Sequence, residues 1–452
     1  MEAKGLIKGN NFDEVMTKIG YGKYQFIVFL VSGFTSFTQG SELVILCVFQ
    51  KYLSEVHDFS FLLISFLATL IFAWQTIGIV ISGYYSDKFG RLYMLKIGYL
   101  TILISGVICA LIPNFIAFII LRSITNLGIG ICLPIGTTYT LENSPSHNRG
   151  ILAISFEGFY LIGQGLVLIL VYFYMNNSDG SNWILVFGLT PLLGIFVLLA
   201  MFTLLYESPL FLLRTGKNGQ GLIVTESISI TNTGKGLTDK EISMIRKIEP
   251  MFDNKNILEV VINPKYRPRT FKLMVVMAAN LVGFSGAFYL LPALIDSDNF
   301  YLGFLLCIIC IIPVWILSFI LIERVEWGRK YTLLLNFVMI IILCILGCTL
   351  ATNEIGLVIV LGSICGLASV SNIVLVPFIL EQYETEIRSS SYTLINIIAR
   401  VQMLYVPAVF VLISFQPMYP IVFYAVTYSL AAACIYSIKL DTAGRGLDYN
   451  YN

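Results

Sequence analysis

The sequence predicts an all-α integral membrane fold: twelve transmembrane helices arranged as two pseudo-symmetric six-helix bundles. Three observations predict it. Hydrophobic residues make up 57% of the 452 and charged residues only 12%, against about 25% charged in a soluble domain. The charge is gathered between long apolar stretches, each at least as long as the roughly 20 residues that cross a hydrocarbon core. Charged patterns also recur half a chain apart. Gly90-Arg91 returns as Gly328-Arg329 after 238 positions, and Glu142 with Arg149 returns as Glu381 with Arg388 after 239. Duplicated bundles with the repeat interface near the bilayer midplane characterise secondary transporters.

The spans follow in order. The first six are expected near 24–49, 59–83, 92–112, 114–140, 151–174 and 183–206. A polar stretch, 207–270, separates them from 271–291, 300–322, 331–351, 355–380, 389–414 and 418–440. The organisation expected is a tail over 1–23, bundles over 24–206 and 271–440, a central loop over 207–270 with short helices, and a second tail over 441–452. An even number of spans puts both termini on one side of the bilayer. That side collects 25 of the 28 Lys and Arg residues; the opposite side keeps Lys51, and Arg122 and Arg400 lie inside spans. The positive-inside rule makes the termini and central loop cytoplasmic. The net charge of +1 gives no reason to propose nucleic acid as a partner. The first 23 residues carry no signal-peptide apolar core, so the first span is expected to act as the insertion signal.

All nine cysteines fall inside predicted spans, where they act as small apolar residues. No metal site or cofactor is expected. His57 and His147 both lie in loops, and no nucleotide-binding loop is visible; an enzyme has little support. In the central loop, Thr238 followed three residues later by Glu241 forms a capping box, and Ile242, Ile245 and Ile248 continue at near-helical spacing. This amphipathic helix is either packed or solvated. The Gly-, Ser-, Thr- and Asn-rich stretch Gly216–Gly236 reads as flexible. Asn176-Asn177-Ser178 is a glycosylation sequon in a non-cytoplasmic loop.

The break after the second span reads Gly83-Tyr-Tyr-Ser-Asp87-Lys88-Phe-Gly90-Arg91. It resembles the loop signature of the major facilitator superfamily, G-x-x-x-D-(R/K)-x-G-R-(R/K). Leu92 stands where the signature ends in a basic residue, and the second copy, Glu323-Arg324-Val-Glu-Trp-Gly328-Arg329-Lys330, is degenerate. Arg122 with Gly128 and Gly130, Glu142 to Arg149, Glu207-Ser208-Pro209, and Glu381 to Arg388 resemble motifs of the branch containing sugar porters, organic cation/anion transporters and proteins like synaptic vesicle glycoprotein 2. Ile19-Gly-Tyr-Gly-Lys-Tyr-Gln25 resembles the opening of the vesicle-glycoprotein-like group. The resemblance implies the twelve-helix facilitator fold and a cytoplasmic gating network built from Gly83, Asp87, Lys88, Gly90, Arg91, Glu142, Arg149, Glu207, Glu323, Gly328, Arg329, Glu381 and Arg388.

The sequence departs from sugar porters where they bind sugar. Their Gln-Gln-x-x-Gly-x-Asn stretch reads Ala279-Asn280-Leu-Val-Gly283-Phe-Ser285 here, and their fifth-span Gln appears as Gly158. Without those amides sugar hydroxyls would lose partners, which ranks an organic ion above a hexose.

Ionisable and amide groups inside spans are functional candidates. At 1.5 Å per residue, Glu42 and Arg122 lie about 11 and 12 Å below the outer ends of their spans, a depth that permits pairing. Such a pair is either a proton- or substrate-linked switch or a permanent structural element. Gln39 stands where sugar/proton symporters carry an Asp. Arg400 lies near mid-depth, with Glu157 or an anionic substrate as its counter-ion. Gln164, Asn280 and Asn396 either line a cavity or join helices. The expected partners are a small-molecule substrate, the lipid bilayer and a coupling proton or cation. The competing reading is a transport-inactive relative serving as a receptor or assembly subunit.

Overall fold

The computed structural model describes residues 11–56, 61–112, 114–145, 148–175, 183–246, 263–294, 300–322, 328–350, 353–383, 388–404, 406, 409, 416 and 418–438. The sequon at Asn176 and both histidines lie outside them. Among the described residues the regular structure is helical. A short helix, α1 (Asn11–Ile19), precedes six long ones: α2 (Lys23–Val56), α3 (Phe61–Phe89), α4 (Arg91–Leu111), α5 (Phe115–Glu142), α6 (Arg149–Met175) and α7 (Trp183–Thr203). Three short helices follow, α8 (Pro209–Arg214), α9 (Asn218–Thr233) and α10 (Asp239–Arg246). Six more follow: α11 (Arg267–Leu294), α12 (Phe300–Ile322), α13 (Gly328–Leu350), α14 (Glu354–Glu381), α15 (Arg388–Arg400, continued by a 3₁₀ turn to Leu404) and α16 (Met418–Tyr436). Six of these have a described stretch long and apolar enough to cross a membrane. The chain is a multi-pass membrane protein.

The described residues fall into two compact units. The first comprises Met1–Gln39, Ile77–Tyr160 and Phe187–Asn254. Its central pair is α4 and α5, held close by small residues. A Cβ on Gly98 would lie 2.4 Å from Cys132 Sγ, and one on Gly128 would lie 2.8 Å from the Gly98 carbonyl. Ser105 and Thr125 share a 2.8 Å hydroxyl hydrogen bond across the same contact. Small residues that let backbones approach are how helices associate in lipid, where no hydrophobic force separates protein from solvent.

The polar connection between the halves folds onto this unit. The stretch expected to be flexible, Gly216–Gly236, is a correction: most of it forms α9. Its Thr225 and Ile228 are buried, and Gly234 ends it in the left-handed conformation with its N–H on the Ile230 carbonyl. Burial and a capped end override the low helix propensity of its Gly, Ser and Thr residues. Ile245 of α10 is buried, and α10 packs against α1 and α9, which decides for the packed alternative. The Glu241 carboxylate accepts the Thr238 N–H at 2.9 Å, as the capping box requires.

The second unit comprises Gly40–Thr76, Leu161–Val186 and Lys255–Asn452. Here α11 packs against α14, α15 and α16, α12 against α14, and α13 against α14 and α16. The Lys330 ammonium donates to the Tyr436 and Ile438 carbonyls, at 3.2 and 2.6 Å, closing the C-terminal end of α16 where a cation is favoured. The start of α11 is tied to the chain beyond α14: Thr270 and Tyr383 hydroxyls pair at 2.8 Å and the Arg269 guanidinium donates to the Gln382 carbonyl. Burial pushes the Tyr383 phenol up to about 12.

The duplication extends to capping. Asn114 caps α5, its side chain accepting the Ile116 and Ala117 N–H groups. Asn353 caps α14 the same way through Gly356. Both helices have 28 residues, and the caps stand at the 239-residue offset of the charged pairs.

Candidate functional site

The signature loop converges on the N-terminus of α4. Gly90 adopts φ 114° and ψ 156°, a conformation that only glycine takes without strain. The turn aims the first amides of α4 at Glu207. One carboxylate oxygen of Glu207 accepts from the Arg91 N–H at 2.9 Å, the Leu92 N–H at 3.0 Å and its neighbour Ser208 at 3.0 Å. The other accepts from Tyr93 at 3.4 Å. A carboxylate from 116 residues away thus supplies the cap that Gly90 has no side chain to give. Charge and helix dipole reinforce each other there.

The Arg91 side chain lies in the same cluster. Its guanidinium pairs with Asp87 at 2.8 Å and Glu142 at 3.3 Å, donates to the Ser86 carbonyl at 2.9 Å, and sits 4.9 Å from the Phe211 ring centre. Three carboxylates from α3, α5 and the start of the central segment therefore surround one helix start. Asp87 and Lys88 are exposed, and Gly83 is half-buried on α3. Arg149 pairs elsewhere: it reaches Asp13 on α1 at 2.7 Å and the Leu141 carbonyl at 3.0 Å.

A second group, absent from the sequence reading, ties α2 to the central segment. The Tyr24 hydroxyl accepts from the Tyr206 N–H at 3.2 Å and lies 3.5 Å from the Tyr139 hydroxyl, which donates to the Tyr206 carbonyl. The Asn232 amide accepts from the Tyr24 N–H at 3.1 Å and donates to Gln25 at 2.6 Å. The α9 helix is thereby fastened to the start of α2. The only sequence signal for this group was the Gly-Lys-Tyr-Gln opening of the first span.

In the second copy, Gly328 and Arg329 begin α13, Glu381 ends α14 and Arg388 begins α15. The side chains of Glu381 and Arg388, and the whole of Glu323, lie outside the described residues.

In the first unit, Gln39 is half-buried on α2; Arg122 on α5 is fully buried with its guanidinium 5.5 Å from the Phe118 ring centre; the Glu157 side chain on α6 lies outside the described residues. In the second unit, Glu42 on α2, Gln164 on α6 and Asn280 on α11 are buried. Neither amide atom of Gln164 or of Asn280 has a hydrogen-bond partner among the described residues. On α15, Arg400 is buried and donates to Asn396 Oδ1 at 3.0 Å; Asn396 donates to the Tyr392 hydroxyl at 3.3 Å. Positions 392, 396 and 400 form one face, four residues apart. Among the described residues Arg400 forms no ion pair. Gln402, just beyond, has both amide atoms buried without partners among the described residues; the sequence reading missed it because a lone amide within an apolar span carries no pattern. No group of three His, Cys, Asp or Glu side chains among the described residues is placed to hold a metal.

Described residues that are helical throughout their regular structure, in two runs of six principal helices, with a signature loop at the start of α4, have the major facilitator fold. The xylose transporter XylE from E. coli, in a partially occluded inward-open conformation, superposes with a TM-score of 0.74 at 20% identity, over 94% of this chain and 99% of that one. The chain belongs to the sugar (and other) transporter family, whose model matches residues 25–449. Among curated relatives, organic cation/carnitine transporter 7 of Arabidopsis thaliana is 28% identical over 49% of this chain and 43% of its own length. The arabinose-proton symporter of Bacillus subtilis is 25% identical over 62% of this chain and 61% of its own, and the putative transporter SVOPL of mouse 22% identical over 61% and 53%. The matches thus span roughly half the length of these relatives.

Proposed function

We propose that the protein is a secondary transporter that carries a small organic solute across a membrane by alternating access, with both termini in the cytoplasm. The orientation rests on the Lys and Arg asymmetry. It makes the Gly90–Glu207 cluster a cytoplasmic network that biases the access equilibrium. Relatives are named for organic cation/carnitine transport and for arabinose–proton symport, so family membership leaves both solute classes open. The observation favouring an organic ion is Arg400: a buried guanidinium whose recorded contacts are a neutral amide and, through it, a phenol. Burying a charge without a counter-charge is costly, and a substrate carboxylate would supply one in bidentate geometry. The substrate is then anionic or zwitterionic. Glu42, the acidic residue of the first span, is the candidate for a coupling proton.

Reconstituted vesicles test this. Arg400→Lys keeps the charge but loses the fork, and should raise the half-saturation concentration for a carboxylate solute such as carnitine without abolishing uptake. Arg400→Ala should reduce uptake further. Equal transport by wild type and both variants would remove the substrate role of Arg400 and reopen the hexose reading.

A further inference from the structure

We propose that the start of α4 and the end of α7 form a binding site for an anionic phospholipid of the inner leaflet; the leaflet, though not the site, rests on the orientation above. Two lysines carry the argument. Lys96 on α4 places its ammonium 4.4 Å from the centre of the Phe202 ring on α7. Lys88, at the end of α3, places its ammonium 5.7 Å from the Phe89 ring. Neither forms an ion pair among the described residues, although Arg91, between them in sequence, has two carboxylate partners. Ring faces attract a cation but do not neutralise it, so both positive charges remain available to an anion.

The surroundings fit a lipid rather than a soluble anion. The rings form a ladder along the surface: Tyr84 to Tyr85 at 5.0 Å, Tyr85 stacked on Phe89 at 5.7 Å, and Phe89 to Tyr93 at 6.1 Å. Tyr84, Phe89, Tyr93 and Phe202 are each half or more exposed. An exposed aromatic cluster at a helix end is the composition of a membrane–water interface. Lys96 lies about 7 Å along α4 from Arg91, a depth at which a lysine stem lies in apolar surroundings while the ammonium snorkels to the headgroups. Beyond it, Ile97, Leu100 and Ile104 continue the exposed face of α4 as a track for an acyl chain. Two positive charges left on this surface favour an anionic lipid whose headgroup brings no compensating positive charge. A zwitterionic lipid brings one, which disfavours it.

The test uses the full chain purified from a membrane containing equal amounts of phosphatidylglycerol and phosphatidylcholine, with co-purified lipid read by native mass spectrometry. The wild type should retain phosphatidylglycerol preferentially. Each lysine near an anionic headgroup contributes about fivefold in affinity, so Lys88→Gln with Lys96→Gln should cut that preference about twenty-five-fold. The double Arg variant should keep it, and Lys240→Gln, on the exposed surface of α10, should leave it unchanged. Inorganic phosphate at excess should not displace the lipid. Retention of phosphatidylglycerol by the double Gln variant at the wild-type level would overturn the proposal. So would displacement by phosphate alone, which would identify a soluble-anion site, or equal retention of both lipids by the wild type. Monodispersity of every variant on size exclusion separates loss of lipid from loss of fold.

Discussion

Glu207→Ala removes the acceptor for the first amides of α4. The Arg91 and Leu92 N–H groups, at 2.9 and 3.0 Å, lose a charged partner in a partly buried setting. Losing a helix cap costs about 1 kcal/mol, and removing a negative charge from a partly buried helix start adds about 1–2 kcal/mol. The expected loss is therefore about 2–3 kcal/mol. Glu207→Gln keeps one oxygen acceptor and loses only the charge, so it should cost about 1–2 kcal/mol. Gly90→Ala attacks the same contact from the other side. Its φ of 114° disfavours any L side chain, and the new Cβ would lie 2.4 Å from Glu207 Oε2. Because that clash is with Glu207 itself, the double variant should cost less than the sum of the singles, with coupling of about 1 kcal/mol or more. Equilibrium unfolding in mixed detergent micelles measures all four corners of the cycle. A Glu207→Ala protein as stable as the wild type, or strictly additive costs, would refute the capping argument.

Three further outcomes follow from single contacts. A Cβ on Gly283 would lie 1.9 Å from the Tyr428 hydroxyl, whose ring packs edge-on against Phe337 at 5.4 Å; Gly283→Ala should destabilise by about 1–3 kcal/mol, and Tyr428→Phe in the same chain should restore part of it in the same unfolding measurement. Asp13→Asn breaks a half-exposed ion pair to Arg149; global stability should change by less than about 1 kcal/mol, while hydrogen exchange of the α1 amides quickens relative to α4. The Thr238 N–H holds the Glu241 carboxyl below its ordinary value of 4.5, so α10 docking is fully supported above that value and weakens as pH falls through and below it; intrinsic-rate-corrected exchange of α10 should show this acid sensitivity in the wild type and not in Glu241→Gln.

The features with a period or a fixed spacing were legible in the sequence. Span positions follow from apolar run length, and α5 and α14 repeat because Glu142 and Glu381 mark equivalent helix ends. The assignment of Asp87, Arg91, Glu142 and Glu207 to one network was available from motif resemblance, but the task of Glu207 was not. A carboxylate capping a helix 116 residues upstream leaves no local pattern. The same holds for Asn232 bonding the start of α2, and for Lys330 closing α16. Gly216–Gly236 was misread because its composition opposes a helix, while burial of Thr225 and Ile228 and the Gly234 cap favour one. Arg149 illustrates the converse: its spacing to Glu142 is the visible motif, yet its partner is Asp13, on a helix whose pairing no periodicity announces.

The central claim is that this chain moves a solute rather than merely sharing the fold of chains that do. Counterflow in vesicles holding the purified protein as their sole protein tests it most directly: unlabelled solute inside, a labelled panel of carboxylate, zwitterionic, cationic and hexose solutes outside. The account predicts saturable, trans-stimulated entry of a carboxylate or zwitterion, slowed by Arg400→Lys. Well-folded protein that exchanges none of the four classes would contradict it, and would leave a receptor or assembly subunit as the reading of this fold.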